Sequence, residues 1–406
     1  MSIYSKLQQL LLQQRKLLLY VLAISLGIAS GLSEISFLHQ AVHLITDAFM
    51  RIFNFLSLPL IALALIVTIT TYKTDGEMKS LSSKTLQYTF GTTIIAATVA
   101  CVLYILIAPK LPDANMIEAV TPTAENNDFK NHLLHLIPIN LFEPFLEHRV
   151  ISVLLMSIAI AIATRKINNI EARSAIINFF QGWHDIFMVL TKWVVTIIPL
   201  ALYAFIAVSV IELKGGQDFS SIIEYLLVII LANVVQGVVI LPLWLKWHNI
   251  SPLSTAAAAM PALTIAFFSK SSSGTLPITI DCAQSRLGIS PIVAKFILPL
   301  CTTINMNGCA AFIFTTVIYI SQSNGMIIDY ATLASWIIIA TIAAIGNAGV
   351  PMGCFFLSAS LLAAQGVPIS LMGIILPFYA VIDMVETALN VWSDLCVTKV
   401  VYERSV

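Results

Sequence analysis

Long apolar stretches follow one another along most of the chain, with short polar segments between them. A helix needs about 20 mostly apolar residues to cross the hydrocarbon core of a bilayer. The unbroken stretches that reach this length lie at about 17–38, 44–72, 84–108, 136–164, 174–212, 220–246, 290–322 and 369–400. The pattern therefore predicts eight transmembrane helices.

Two further apolar stretches, at about 252–284 and 327–366, are interrupted in the middle by small residues and a proline. The first interruption reads Ser271-Ser272-Ser273-Gly274-Thr275-Leu276-Pro277, and the second runs from Gly346 to Pro351. Such a break frees backbone N–H and C=O groups that lipid cannot satisfy. Each stretch is therefore predicted to form a re-entrant helical hairpin with its tip inside the protein. Paired interrupted segments are typical of a transporter's binding site.

The last predicted span carries five polar residues on one face. At 100° per residue they fall within an arc of about 100° on a helix. These residues are Asp383, Glu386, Thr387, Asn390 and Asp394. Because carboxyl groups exposed to hydrocarbon are costly, this face must contact protein, water or bound ions.

The composition agrees with a membrane protein and excludes several other classes. The chain is 58% hydrophobic and 10% charged, whereas about a quarter of the residues of a soluble domain are charged. Its 21 basic and 21 acidic residues balance, so no basic surface indicates a nucleic-acid partner. No glycine-rich nucleotide-binding loop supports an ATP-driven pump, and we expect no enzyme. The six cysteines lack metal-ligand spacing and are interpreted as small buried hydrophobic residues.

The placement of lysine and arginine indicates the orientation in the membrane. Lys6, Arg15 and Lys16 precede the first span, on an amphipathic segment that is interpreted as a retained cytoplasmic helix. Basic residues also follow the second and fourth spans, and Lys399 and Arg404 lie near the end of the chain. Since cytoplasmic segments are enriched in lysine and arginine, both termini are predicted to be cytoplasmic.

Four motifs together resemble one known family. They are the first tip Ser271–Pro277, the Asn305-Met306-Asn307-Gly308-Cys309 sequence of span seven, the second tip Gly346–Pro351, and the Asp383, Thr387, Asn390, Asp394 series of span eight. In this order and spacing they are similar to the dicarboxylate/amino-acid:cation symporters, which include the glutamate and neutral amino-acid transporters. The resemblance covers nearly the whole chain.

The resemblance implies an all-α polytopic membrane protein with the glutamate-transporter fold, eight transmembrane helices and two re-entrant hairpins. It further implies a homotrimer, and in each protomer a mobile transport domain that slides through a fixed scaffold as an elevator. The second hairpin would be the extracellular gate. The scaffold would comprise residues 1–83 and 110–213, and the transport domain residues 84–109 and 214–406.

The candidate substrate site combines the first hairpin tip with span eight. A serine-rich tip offers hydroxyl and N–H groups, so Ser272 and Ser273, assisted by Asn390, are candidates for binding a substrate carboxylate. Alternatively, these serines only satisfy the freed backbone of the tip. A buried carboxylate needs a cationic partner, so Asp383 is a candidate for binding an amino group, unless it is buried in the protonated form. The resemblance adds Thr387, Cys309 and Val350.

The oxygen-bearing residues around Asp394 are candidates for binding a cation, because hard cations prefer oxygen ligands, and the resemblance implies two further groups. The first comprises Asp394, Asn390, Asn305 and the carbonyl of Cys301; the second comprises the backbone of Ala344, Ile345 and Asn347 with Thr303; the third comprises Thr92, Thr93, Asn305 and Asn307. The resemblance implies that the cation is Na⁺. The same groups could instead join helices by hydrogen bonds.

Glu386 departs from the family pattern, because members that transport acidic substrates carry an arginine at this position. A glutamate there would repel the second carboxylate of glutamate, aspartate or succinate. Three explanations stay open. Glu386 recognises a cationic side chain such as that of lysine, arginine or ornithine; or it is protonated; or it pairs with Lys270 at the first tip.

Span seven departs from the family pattern at two positions. Asn307 replaces the aspartate of the family's Asn-Met-Asp-Gly-Thr motif, so the third cation site carries less negative charge and the coupling stoichiometry is open. Cys309 replaces the threonine of that motif and removes a hydroxyl from the edge of the substrate site. The change at Cys309, like Glu386, points away from an acidic substrate.

These observations predict a cation-coupled secondary symporter that imports an amino acid, with a cationic or neutral side chain favoured over an acidic one. Na⁺ is the expected coupling ion, with H⁺ possible, and no other cofactor is expected. A neutral amino-acid transporter in which Lys270 neutralises Glu386 is the rival. From another class, an anion channel or a substrate-sensing receptor stays open. We expect the protein among the lipids of a plasma membrane, the inner membrane of a bacterium.

Overall fold

The computed structural model describes residues 22–71, 77–111, 138–147, 150–214, 220–347 and 352–404, together with Leu19. All regular secondary structure in these segments is helical. The helices are α1 (Leu22–Leu32), α2 (Ser36–Thr71), α3 (Glu77–Ile107), α4 (Glu143–Leu146), α5 (Val150–Arg165), α6 (Ile170–Lys214), α7 (Ser220–Val235), α8 (Leu241–Trp247), α9 (Pro252–Ser269), α10 (Ser272–Asp281), α11 (Pro291–Ile304), α12 (Asn307–Ser323), α13 (Tyr330–Gly346), α14 (Gly353–Ala364) and α15 (Ser370–Glu403). Short π-helical turns, Gln236–Ile240 and Cys282–Arg286, follow α7 and α10.

The predicted all-helical fold class is confirmed, while the number of membrane spans stays a prediction. Within the described segments, four helical stretches are long and apolar enough to cross a bilayer: Ser80–Ile107, Ile222–Trp247, Pro252–Ser269 and Pro291–Ser323. The helices α2 and α6 contain 36 and 45 residues. At 1.5 Å per residue they are about 54 and 68 Å long, so either is longer than the hydrocarbon core is thick.

Helix α12 lies at the centre of the molecule. Almost all of its side chains are buried, and it packs against α3, α7, α13, α14 and α15. Tyr319 of α12 stacks on Tyr225 of α7 with ring centroids 4.7 Å apart, and the Tyr225 hydroxyl lies 2.7 Å from Thr316 Oγ1. Helix α15 packs in turn against α9, α11 and α12. The polar residues of α12 and α15 therefore face each other inside the protein.

The seventh apolar stretch is broken in its middle, which the sequence pattern did not predict. Helix α11 ends at Ile304 and α12 begins at Asn307. Between them, Asn305 and Met306 have ψ angles of 73° and 63°, outside the helical region. The break turns the side chains of Asn305 and Asn307 into the buried space between α3 and α15.

Each interrupted stretch contains two helices, α9 and α10 in the first and α13 and α14 in the second, while their re-entrant hairpin form stays a prediction. In the first, Lys270 adopts the left-handed conformation (φ 53°), and the Ser271 hydroxyl caps α10 by accepting the N–H of Gly274 at 3.0 Å. In the second, Met352 before α14 is also left-handed (φ 57°). Residues 348–351, including Val350, lie outside the described residues, as does the predicted N-terminal helix.

Candidate substrate and cation site

A small cavity of about 30 Å³ lies between α10, α12, α14 and α15. Most of the predicted substrate residues border it, namely Ser272, Cys309, Asp383, Glu386, Thr387 and Asn390, together with Lys270. Ser273 is instead exposed on α10. The structure adds Ser271, Met306, Asn347, Cys354 and Tyr379 to the boundary, none of which was predicted to contact substrate. The cavity therefore joins the first hairpin tip to the polar face of α15.

Glu386 is an almost completely buried carboxylate with few hydrogen bonds. Its side chain is 1% exposed, and Tyr379 donates to Oε2 at a long distance of 3.4 Å. Its Oε1 has no hydrogen-bond partner among the described residues. Because a buried polar atom without a partner is costly, an N–H group of a ligand would bind here favourably.

Lys270 lines the same cavity as Asp383, the second carboxylate there. Its positive charge acts on Asp383, which is half-buried one turn before Glu386 on α15. A pairing of Lys270 with Glu386 was one of the explanations offered by the sequence. The structure places Lys270 and both carboxylates around the same cavity, and the described hydrogen bond of Glu386 comes from Tyr379, so the pairing of Lys270 stays open.

Asn390 is held in one orientation by the break before α12. Its Oδ1 accepts the N–H of Gly308 at 2.9 Å, and its Nδ2 lies 3.5 Å from Met306 Sδ and 3.6 Å from Cys309 Sγ. The amino group of the side chain is therefore turned towards the cavity. A donor in this position suits a substrate carboxylate, whereas the oxygen predicted to bind a cation is already engaged.

Gly308 allows α12 and α15 to approach closely at the site. A Cβ at this position would lie 2.8 Å from Glu386 Cα and 2.9 Å from Asn233 Oδ1. We expect Gly308→Ala to force the two helices apart and to destabilise the protein by about 1–3 kcal/mol. Thermal melting in detergent measures this loss.

Gly182→Ala is the matched control for that prediction. A Cβ at Gly182 of α6 would meet no atom within 4 Å. This variant should melt at the wild-type temperature or slightly above it, since alanine favours a helix more than glycine does. Equal melting temperatures for Gly308→Ala and the wild type would show that the contact is not tight.

Asp394 lies at the centre of a buried oxygen cluster next to the cavity. Its Oδ1 accepts from Asn305 Nδ2 at 3.0 Å, and its Oδ2 accepts from Thr302 Oγ1 at 3.4 Å. The Cys301 carbonyl accepts the N–H of Asn305 at 2.8 Å. Among the described residues no basic side chain forms an ion pair with Asp394. A carboxylate that is buried without a cationic side chain beside it among the described residues is a position that fits a cation.

The third predicted group forms a continuous hydrogen-bond network. Thr92 Oγ1 lies 3.1 Å from Asn305 Oδ1, and the amide of Asn307 bonds to Thr92 and Asn305. The described hydrogen bond of the Thr93 hydroxyl goes to the Thr89 carbonyl at 2.7 Å rather than to this network.

Sequence reasoning missed Gln236 and Ser393, which complete this network. Gln236 Nε2 donates to Asn307 Oδ1 at 2.8 Å, and Ser393 Oγ accepts from Asn305 and Asn307. An amide in the apolar stretch 220–246 was a signal for Gln236, and the π-helical turn that begins there is typical of functional sites. Ser393 directly precedes Asp394.

The second predicted group lies at the end of α13. Asn347 donates its N–H to the Ala344 carbonyl at 3.0 Å, and its Oδ1 has no hydrogen-bond partner among the described residues. The Thr303 hydroxyl donates to Leu300 of its own helix at 2.7 Å. Helix α13 packs against α11, so Ala344, Ile345 and Asn347 lie on an element adjacent to Thr303.

Two cysteines differ from the sequence interpretation. Cys309 of α12 and Cys354 of α14 are joined by a disulfide, with Cα atoms 5.4 Å apart. The other described cysteines, Cys101, Cys282, Cys301 and Cys396, are free and buried, as predicted. Only the packing of α12 against α14 brings the bonded pair together across 45 residues of sequence.

The sequence was compared with known proteins. A model of the sodium:dicarboxylate symporter family matches residues 17–404. The chain is 30% identical over 247 residues to the neutral amino acid transporter B(0) of Mus musculus, which covers 60% of this chain and 44% of the mouse protein. It is 31% identical over 226 residues to glt-4 of Caenorhabditis elegans, named as a sodium-dependent excitatory amino acid transporter, with 55% and 45% covered. The matches span less than half of these relatives.

Proposed function

Because the chain belongs to the sodium:dicarboxylate symporter family, we propose that it is a sodium-coupled secondary transporter that imports an amino acid. The observation that carries this proposal is that two polar regions lie on one helix, α15. The cavity with Asp383 and Glu386 lies one to three helical turns along α15 from the buried oxygen cluster of Asp394. Substrate and cation would thus bind to the same helix and stabilise the same closed conformation.

The cavity supplies complementary groups for each part of an amino acid. The buried Ser272 at the start of α10 and the amino group of Asn390 would bind the α-carboxylate, since helix N-termini and amide donors favour anions. Asp383 would bind the α-amino group. Glu386 would contact the substrate side chain through its oxygen that lacks a partner.

This arrangement favours a cationic or neutral side chain over an acidic one. The names of the relatives include both neutral and excitatory amino acid transporters, so the relatives alone do not select a substrate class. Glu386 does, because a second substrate carboxylate beside it would be repelled. A cationic side chain would donate to Glu386, whereas a neutral one requires Glu386 to be protonated or balanced by Lys270.

Transport would follow the elevator mechanism implied by the sequence motifs. In this proposal residues 84–109 and 214–406 form the transport domain, residues 1–83 and 110–213 the scaffold, and three protomers a homotrimer. The two helix–turn–helix elements would be re-entrant hairpins. Both termini would lie in the cytoplasm of a bacterium.

The cavity of about 30 Å³ is far smaller than ordinary ligand pockets of about 300–1,000 Å³, so the second hairpin would have to open for substrate entry.

A thermal-shift screen tests the substrate class directly. The twenty amino acids and the C4 dicarboxylates are each added to the purified protein, with sodium and with potassium in its place. A ligand that binds the folded state raises the melting temperature. We expect shifts for cationic or neutral amino acids in sodium, and none for aspartate, glutamate or succinate. A shift confined to the acidic compounds would contradict the proposal.

Uptake into proteoliposomes separates a symporter from an anion channel or a receptor. An imposed inward sodium gradient should concentrate the amino acid inside the vesicles above its external concentration. A channel only equilibrates its substrate, and a receptor moves none. Accumulation that persists when a proton gradient replaces the sodium gradient would instead support coupling to H⁺.

A further inference from the structure

The amide of Asn307 occupies the middle of the third predicted cation group. Its Nδ2 donates to Asn305 Oδ1 at 2.9 Å, to Ser393 Oγ at 3.0 Å and, more weakly, to Thr92 Oγ1 at 3.4 Å. The oxygens of Asn305 and Thr92 are ligands that a cation in this group would need, and Ser393 supplies a further oxygen beside them. All four side chains are buried.

The hydrogen-bond network determines which way the amide of Asn307 faces. A carboxylate only accepts hydrogen bonds, so Asn305 must present its amino group to Asp394 and its oxygen to Asn307. On the other side, Gln236 donates to the Thr92 carbonyl at 3.2 Å and to Asn307 Oδ1 at 2.8 Å. Reversing Asn307 would set oxygen against oxygen at Asn305 and amino group against amino group at Gln236. Both ends of the network therefore require the Asn307 amino group to point at the three oxygens.

We infer that the amide of Asn307 takes the place of a cation in this group, so that the protein transports its substrate without a sodium ion there. The two hydrogens of the amino group supply the positive partial charge that the oxygens require. A sodium ion would have to displace these hydrogen bonds. The buried Asp394 provides the single full negative charge of the cluster and balances one cation on its own side of Asn305. This inference rests on the proposed sodium-coupled transport.

The number of sodium ions moved per substrate tests this inference. Wild-type protein in proteoliposomes is given radioactive sodium and the radiolabelled amino acid that produces the largest thermal shift. With the third group excluded, at most two sodium ions should accompany each substrate. In the Asn307→Asp variant an acceptor replaces the amino group, so the oxygens of Asn305, Ser393 and Thr92 lose their donor. A sodium ion can then bind them, and the variant should move one more sodium ion per substrate than the wild type.

Several outcomes would overturn the inference. One is a ratio of three sodium ions per substrate in the wild type. This measurement does not depend on the folding of any variant. Another is an unchanged ratio in Asn307→Asp protein that still melts cooperatively. If no amino acid is accumulated under a sodium gradient by the wild type, the proposed function fails instead, so the two failures are distinguishable.

The disulfide between Cys309 and Cys354 carries a second, independent inference. It ties the first turn of α12 to the first turn of α14, directly after the second tip. A disulfide requires Cα atoms within about 7 Å, and here they are 5.4 Å apart. The start of α14 can therefore move away from α12 by less than about 2 Å while the bond is intact.

We propose that this pair is a redox site that controls entry to the cavity. With the bond intact, α14 moves too little to enlarge the cavity freely, and uptake is several-fold slower than in the reduced protein. A low-molecular-weight thiol opens the site by exchange: its thiolate attacks one sulfur, forms a mixed disulfide and releases the other cysteine as a thiol. A second molecule of the thiol then releases the first cysteine and leaves as the small-molecule disulfide. The effect on uptake rests on the proposed function, whereas the bond does not.

A protease site inserted between the two cysteines shows whether the bond exists. The turn between α12 and α13 accepts an insertion, because Ile327 there is 98% exposed. After cleavage, the two fragments should stay together on a denaturing gel and separate with dithiothreitol. In Cys354→Ser protein they should separate without it. Separation of wild-type fragments without reductant, even after treatment with an oxidant, would overturn the proposal.

Uptake before and after reduction tests the control of entry. We expect a several-fold increase in wild-type uptake when dithiothreitol is added, and no response in Cys354→Ser. Cys282→Ser replaces a free buried cysteine elsewhere and should respond like the wild type. If the gel shows that the bond is reduced while uptake stays the same, the bond does not control entry.

Discussion

Asp394→Asn is expected to abolish sodium-dependent uptake at ordinary sodium concentrations. The variant keeps the shape of the side chain but removes the only carboxylate of the buried cluster formed with Asn305 and Thr302. Removing one partner of a buried charge pair costs about 3–5 kcal/mol. Sodium affinity should therefore fall by about a hundredfold or more, at about 1.4 kcal/mol for each factor of ten. The half-saturating sodium concentration for substrate binding, followed by thermal shift, measures this change.

The matched control is Asp281→Asn, the same change at an exposed carboxylate of α10. It should leave the sodium dependence as in the wild type. A half-saturating sodium concentration unchanged in Asp394→Asn would mean that Asp394 binds no cation, and its burial would then reflect hydrogen bonding between helices alone.

Glu386→Gln is expected to change the selectivity of the cavity. If Glu386 binds a cationic side chain, loss of its charge should weaken lysine and arginine binding by about 2 kcal/mol or more, which is about thirtyfold. Neutral amino acids should be affected little, because glutamine has the same shape. Affinities from the thermal-shift titration of lysine, arginine and a set of neutral amino acids provide the measurement. Glu386→Arg should weaken the cationic ligands further and admit aspartate or glutamate.

The three explanations for Glu386 lead to different results in these variants. A protonated Glu386 resembles glutamine, so Glu386→Gln would bind every amino acid, lysine and arginine included, as the wild type does. If Glu386 forms an ion pair with Lys270, Lys270→Gln should weaken amino-acid binding as much as Glu386→Gln does. Glu224→Gln, a change at a surface carboxylate that pairs with Lys110 at 3.8 Å, is the control and should alter no affinity. Unchanged binding of every amino acid in Glu386→Arg would show that Glu386 does not contact the substrate.

Much of the candidate site could be predicted because its signals are local. The period of the helix places Asp383, Glu386, Asn390 and Asp394 on one face whatever surrounds them, and charge in an apolar span requires a buried environment. The serine-rich interruption similarly indicated a helix–turn–helix, and the structure places its Ser272 at the cavity. The exposed Ser273 shows the limit of this reasoning, since neighbouring residues of a helix point in different directions.

The remaining parts of the site depend on contacts between distant segments. Gln236 reaches Asn307 across 71 residues, and Cys309 reaches Cys354 across 45. The break at Asn305 and Met306 lies in an apolar stretch with the composition of a continuous helix. Such features follow from the packing around α12, which no local pattern describes.

By itself, the sequence determined the all-helical membrane class, the family and the polar face of α15, because hydrophobicity and helical period act within single segments. Only the tertiary structure decided which way the amides of Asn305, Asn307 and Asn390 point. An amide is both a donor and an acceptor, so its orientation is set by its neighbours: the carboxylate of Asp394, the Thr92 carbonyl and the N–H of Gly308. The orientation of each amide decides whether its oxygen faces the site, where it can bind a cation, or its amino group does, which takes the place of a cation.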